Sequence, residues 1–308
     1  MLGPFGHAGA LLRYAFTRKR QQRDDAAAQH ELAWSGAGLP PGLELEWLGA
    51  AGFRITYQGQ HLLIDPYLTR ITMGDLLRRR VVPAAPAQLE RVPDPIAILV
   101  GHTHFDHALD VPALAMRAGC KVYGSASLAR LMALHGRREL AVEVEAHRRI
   151  ELGPFTVRYV PSKHAKLAAG LWTPYDGEIT CEHTDELTPQ QFRCGTIWGI
   201  EIEVGGARLY HTGSCDLDDG AEIPRGIDVF LCGIAGRRFT RGYVEKILRR
   251  VEPRVIVPCH HDDFFRPIAQ PMGFSLNVDL AGFTDEVRAV SKDFAIGTVG
   301  LGQPIAGV

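Results

Sequence analysis

His102, His104, Asp106 and His107 stand close together in the string Gly101-His-Thr-His-Phe-Asp-His107. In an extended segment side chains alternate, so His102 and His104 point the same way, and Asp106 and His107 follow within about one turn of chain. Four candidate ligands therefore converge on one pocket. Imidazole and carboxylate together suit zinc, with iron or manganese as less frequent occupants. Upstream, Ile96 to Val100 is an unbroken apolar run, short enough for a strand covered on both faces, and Gly101 releases the chain from it. The carboxyl end of such a strand is where open α/β sheets keep their chemistry.

The elements that must position this string are legible on both sides of it. The chain has 308 residues and is 46% hydrophobic, enough to bury a large core. With 34 basic against 35 acidic residues it carries no global signal for nucleic acid. The 6 cysteines are scattered without a C-x-x-C pair, which fits a reducing, cytoplasmic setting. No apolar run reaches the ~18 residues a membrane span needs. Residues 1–42 read as an N-terminal extension, a helix from Ala8 to His30 followed by a Gly/Pro linker, and residues 43–308 as one α/β domain. The extension carries Arg18, Lys19, Arg20 and Arg23, a basic helix that either lies on an anionic membrane surface or packs on its own domain or on a second subunit. From Leu43 the pattern alternates as a three-strand meander over 43–48, 53–57 and 61–65. Beyond the string, Asp110 is placed to cap a helix with Pro112 in its first turn. Helices follow over 127–135 and 242–251. Strands are expected at 120–123, 141–145, 155–160, 196–204, 207–211, 227–232, 254–258 and 294–299. No G-x-S-x-G elbow occurs, which disfavours a serine hydrolase.

The H-x-H-x-D-H string behind an apolar strand resembles the signature of the metallo-β-lactamase superfamily, and the resemblance runs from about Leu43 to the carboxyl end. It implies a four-layer αββα sandwich with a hydrolytic site for one or two metal ions. It also implies further ligands. His164, just beyond the strand ending at Val160, matches the third histidine of the superfamily's first metal, and His260 matches the last ligand, with His261 as the alternative. Asp65, closing the strand Leu62-Leu-Ile-Asp, matches the acid that orients a ligand histidine from behind. At the bridging aspartate the chain departs from the pattern. Ser214 follows Gly213 and the carboxylate, Asp216, comes two positions later, so either Asp216 reaches back or no carboxylate bridges two metals. The resemblance then assigns His102, His104 and His164 to one metal and Asp106, His107 and His260 to another. Asp106, the only carboxylate within the motif, can orient the nucleophile or pass a proton to the leaving group.

Within the superfamily the chain looks most like the branch of ascorbate-6-phosphate lactonase and the N-acylphosphatidylethanolamine phospholipase D enzymes, which implies a lactone, another ester or a phosphodiester as substrate. An iron-dependent redox member and a non-catalytic metal-binding module are the alternatives. The segment 67–94 mixes apolar residues with Arg78, Arg79 and Arg80, which would suit an amphiphilic or anionic small-molecule substrate or equally be the solvated charge run of an ordinary helix. The residues 165–193 read as the lid or pocket wall. A homo-oligomer is compatible with all of this, and no nucleic-acid partner is expected.

Overall fold

The computed structural model describes residues 4–166, 172–276 and 278–307, with side chains described from residue 17 onward. Among these residues the strands form two seven-stranded sheets. The first follows the order β14-β1-β2-β3-β4-β5-β6, and its strands are β1 (Glu44–Gly49), β2 (Gly52–Tyr57), β3 (Gln60–Ile64), β4 (Ala97–Leu99), β5 (Lys121–Gly124), β6 (Ala141–Glu143) and β14 (Ile305–Ala306). The second follows β13-β12-β11-β10-β9-β8-β7. Its strands are β7 (Arg149–Leu152), β8 (Phe155–Pro161), β9 (Trp198–Val204), β10 (Ala207–Thr212), β11 (Val229–Gly233), β12 (Val255–Cys259) and β13 (Ala295–Ile296). Each sheet is antiparallel on one side and parallel on the other. β1, β2 and β3 pair antiparallel before β3 and β4 turn parallel, and β8, β9 and β10 do so before β10 and β11.

Period-two alternation decides which residues face which layer. Leu62, Ile64, Ala97 and Leu99 point between the sheets, where they meet Val157, Ile202, Leu209, Leu231 and Val257 from the other side. Their neighbours Leu63, Ile98 and Val122 point outward under two helices, α5 (Val111–Ala118) and α6 (Ala126–Leu134). On the far face Tyr210, Phe230 and Ile256 do the same under α7 (Tyr243–Val251) and α8 (Leu280–Val290), counting the short helices α2 (Met73–Leu77), α3 (Pro86–Leu89) and α4 (Phe105–Ala108) before them. The result is the four-layer αββα sandwich, with an apolar layer between sheets and one under each helical face.

The amino-terminal helix α1 (Pro4–Glu31) joins the outer layer beside α8. Its contact is made near its carboxyl end. Ala28 is buried there, the buried Asp25 carboxylate accepts from the Ala281 N–H at 3.0 Å, and Gln29 donates to the Val299 carbonyl at 3.0 Å. Arg18, Lys19, Arg20 and Arg23 are exposed. No helix among the described residues is long and apolar enough to cross a membrane.

Three local expectations change. Asp110 occupies the position before α5, yet makes no cap bond, because its backbone is already helical there. Its carboxylate instead accepts from the backbone N–H groups of Leu68 and Thr69, both at 2.7 Å, and so ties the segment after β3 to the helix layer. The expected closing strand at 294–299 shortens to Ala295–Ile296, and the chain then crosses to the other sheet, where β14 pairs with β1. The helix α8, absent from the expected elements although Leu280, Phe283 and Val287 recur at helical spacing, begins with the Asp279 side chain accepting from the Gly282 N–H at 2.9 Å.

Candidate metal centre

The motif is extended only as far as His104. His104 is the residue before α4, and that single helical turn swings Asp106 and His107 round together, which alternation alone would not do. His164 arrives from the chain just past β8, and His260 from the residue after β12, where a left-handed backbone (φ 61°) turns its ring off the strand direction. The His260 N–H is anchored on the Ala50 carbonyl at 2.8 Å. Three separate stretches of chain thus meet, just beyond the carboxyl ends of β4, β8 and β12.

Two groups of ligand atoms result. His102, His104 and His164 have ring nitrogens within 4.8 Å of one another, and Asp106, His107 and His260 form a second such group. The rings of His102 and His107 lie 3.8 Å apart between centroids, so the groups adjoin. In the first, His102 Nε2 and His104 Nδ1 are 3.1 Å apart. Two nitrogens sharing a tetrahedral zinc at ~2.05 Å would stand about 3.3 Å apart, so the pair is already at metal-bridging distance. In the second, the Asp106 carboxylate lies 3.1 Å from His260 Nε2 and 3.8 Å from His107 Nε2.

In three of the five histidines the other ring nitrogen is held from behind, as metal-binding histidines require. His104 Nε2 is 2.9 Å from the Pro174 carbonyl, His164 Nδ1 is 2.8 Å from the Ala165 carbonyl, and His107 Nδ1 is 2.8 Å from the Asp65 carboxylate. Asp65 is fully buried and also accepts from the Gly101 N–H at 2.7 Å, which locks the start of the motif to the end of β3. Gly213 is obligatory beside this pair, since a Cβ there would lie 2.9 Å from His107 Cε1 and 3.0 Å from the Asp65 carboxylate. The substitution Asp65→Asn removes one acceptor and sets a donor against His107. Metal affinity is expected to fall roughly 10–100-fold, measured by competition with a chromophoric chelator.

Electrostatics separate the two groups. Burial, together with the neighbouring imidazoles, keeps His102 well below the ordinary histidine range, brings His104 down to about 3 and lowers His164. The first group is therefore neutral and offers lone pairs at any physiological pH. Burial also opposes a charge on His107, but the carboxylates of Asp65 and Asp106 outweigh it and raise its pKa. Burial would raise the Asp106 carboxyl, and the histidines around it, His107 first, reverse that and keep it ionised. Groups that favour a proton on His107 favour a cation beside it equally well. Nitrogen-rich donors with one carboxylate, buried and preorganised, fit zinc, iron or manganese.

The remaining expected residues fall elsewhere. Asp216 joins neither group. Its backbone bridges to Lys163, and its carboxylate turns to the Leu217 N–H at 2.8 Å, because extending the loop past the buried Cys215 aims it away from the histidines. Ser214 lines the cavity instead, and its hydroxyl accepts from the Ala165 N–H at 3.2 Å. His261 faces the opposite way from His260, stacked on Trp47 at 4.6 Å with Nε2 2.9 Å from the Gln29 side-chain oxygen on α1. Of the residues 165–193 expected as pocket wall, Ala165, Pro174 and Tyr175 line the cavity, while Leu171 lies outside the described residues.

One contributor escaped the sequence reading. The Pro174 carbonyl that steadies His104 is a backbone group and leaves no sequence signal. His211, fully buried in β10 with Nε2 on the Ala51 carbonyl at 2.9 Å, joins neither group.

Both groups open into a cavity of ≈ 250 Å³ whose walls include Leu76, Phe105, Pro174, Tyr175, Phe264 and Phe265. A larger cavity of ≈ 590 Å³, bordered by Gln29, Glu46 and Arg91, lies away from both ligand groups.

The family model described as a beta-lactamase superfamily domain matches residues 44–260, from the first strand to His260. The chain belongs to the metallo-β-lactamase superfamily. A protein of Symbiobacterium thermophilum named as a metal-dependent hydrolase is 27% identical over 253 residues, covering 80% of this chain and 96% of that protein. Among solved structures, Igni18, a metallo hydrolase from Ignicoccus hospitalis, superposes with a TM-score of 0.55 at 15% identity, over 85% of this chain and 97% of the other. CmlA, a diiron beta-hydroxylase from Streptomyces venezuelae, does so with a TM-score of 0.54 at 17% identity, over 85% and 53% respectively. At such identities these structures report the superfamily fold, and that fold serves both hydrolytic and redox chemistry.

Proposed function

We propose that this superfamily member is a metal-dependent hydrolase, with zinc as its metal, that opens a small lactone or ester carrying an apolar substituent. The observation that carries this reading is the pairing of the two ligand groups with an apolar cavity. No Lys or Arg lines that cavity among the described residues. A phosphodiester would bring a charged phosphate with no guanidinium to meet it, so the neutral acyl electrophile is favoured over the phosphodiester that the same branch resemblance implies.

His102, His104 and His164 would hold one cation, and Asp106, His107 and His260 a second. A cation there supplies Lewis-acid polarisation of the scissile carbonyl and makes water acidic enough to ionise near neutral pH. The protein's own residues do the rest. Asp106 remains ionised within the second group and lines the cavity, so it accepts the proton of the attacking water and returns it to the leaving alcohol. Phe105, Phe264 and Phe265 exclude bulk water and receive the apolar part of the acyl group. Asp65 keeps His107 in one tautomer and orientation throughout.

The test is metal stripping and return, assayed on a panel of lactones, aryl esters and a bis-aryl phosphodiester. Hydrolysis should disappear with a strong chelator and come back with zinc, with lactones or esters turned over faster than the phosphodiester. Absence of hydrolysis in every reloaded form would overturn the proposal, and oxygen consumption restored by iron alone would replace it with oxidative chemistry.

A further inference from the structure

The rim of the cavity carries a surface that the hydrolytic chemistry leaves unused. Helix α2 is fixed by a capping box between Thr72 and Asp75 and tied from below by Gln190, whose amide donates to the Leu76 carbonyl at 2.6 Å. Leu76 turns into the cavity, while Met73 and Leu77, one helical turn apart, are 47% and 76% exposed. Arg78, Arg79 and Arg80 follow, all exposed, and then Val81 at 40% exposure. Trp172, 52% exposed, lies two residues before the cavity-lining Pro174. Single exposed apolar residues are ordinary. Here Met73, Leu77 and Val81 share the segment of cavity-lining Leu76 with three arginines, opposed on this segment by Asp75 alone.

We infer that the cavity mouth docks on an anionic lipid bilayer, and that the ester or lactone it takes is amphiphilic and enters from that surface. Apolar side chains at the acyl boundary with guanidinium groups at the phosphates is how peripheral proteins hold a bilayer. Charge complementarity selects the occupant, since neutral lipid or an apolar protein groove would have no use for Arg78 to Arg80. The apolar cavity directly behind Leu76 gives the acyl chain a continuous path from bilayer to ligand groups. The substrate half of this inference rests on the hydrolase reading, and the docking half does not.

The full chain is tested by flotation with phosphatidylcholine vesicles, with and without phosphatidylglycerol, beside turnover of a short, water-soluble ester or lactone. Binding should require phosphatidylglycerol and weaken with salt. The double variant Arg78→Ser/Arg79→Ser should bind about 25-fold more weakly, roughly fivefold per arginine, and Leu77→Asp should also release the protein. Both should keep wild-type turnover of the soluble substrate. A second variant, Arg18→Ser/Lys19→Ser/Arg23→Ser, removes exposed charge from α1. Equal binding to both vesicle types, or binding lost with the α1 substitutions and kept with those at the mouth, would overturn the docking surface. Vesicle binding of the expected pattern with no turnover of any ester or lactone would uphold the docking surface and overturn the hydrolase reading alone.

Discussion

Replacing His102 by Ala is expected to lower hydrolysis by about 10³–10⁴-fold, since the Lewis-acid contribution of a bound metal is several kcal/mol and each 1.36 kcal/mol is a factor of ten. His102 is the residue at which the two ligand groups meet. Its Nε2 faces His104 Nδ1 at 3.1 Å, and its ring packs 3.8 Å from that of His107. The loss should therefore appear as metal content before it appears as structure, measured by plasma mass spectrometry on protein with an unchanged circular dichroism spectrum. The neighbouring pair of histidines after β12 supplies the control. His260→Ala should lose metal from the second group, because His260 Nε2 lies 3.1 Å from the Asp106 carboxylate. His261→Ala should keep it, because His261 faces Trp47 and Gln29. Unchanged metal content and turnover in His102→Ala would remove the first group from the mechanism.

Asp262→Ala is expected to cost about 3–5 kcal/mol of stability, the largest single loss outside the apolar core, because it strands a buried charge. The Asp262 carboxylate is 2.9 Å from Arg70 Nη2, and both side chains are 2% exposed. Its other oxygen accepts from the Ala50 N–H at 2.8 Å. Without it the buried Arg70 guanidinium loses its ion-pair partner, whereas the exposed pair Arg249 and Glu245 should give less than about 1 kcal/mol when broken. Denaturant unfolding at neutral pH reads the difference directly. A melting temperature lower by roughly 5–10 °C should accompany it. Restoration by the double variant Arg70→Met/Asp262→Ala would confirm that the stranded charge is the cause, and a loss below 1 kcal/mol in the single variant would overturn it. The site should feel the same change, since the Ala50 carbonyl accepts from the His260 N–H and the Asp262 side chain holds the N–H of the same residue.

Much of this architecture is written locally. Alternation in Leu43 to Asp65 specifies the first three strands and their inward faces, and the apolar run ending at Gly101 specifies the buried strand that delivers the motif. The ligand types and their spacing name the chemistry before any fold is known, because His102, His104, Asp106 and His107 are close in the chain and their convergence needs only one turn of backbone. His164 and His260 became legible through resemblance to a superfamily pattern. Periodicity alone would have left them as strand-end histidines.

What the sequence by itself determined, then, was the sandwich, through its resemblance to the superfamily, and a motif able to hold a metal ion. Tertiary structure decided which distant groups support that site. Asp110 faces Leu68 and Thr69 where a helix cap was expected, and Asp216 turns to its own backbone where a bridging ligand was one alternative. The Pro174 carbonyl behind His104, the ion pair of Arg70 and Asp262, and the pairing of β14 with β1 all join residues far apart in the chain. The physical reason is range. Alternation and capping act over a few residues and are printed in the local pattern, whereas a hydrogen bond between distant segments exists only after the sheets have packed and set the distance between them.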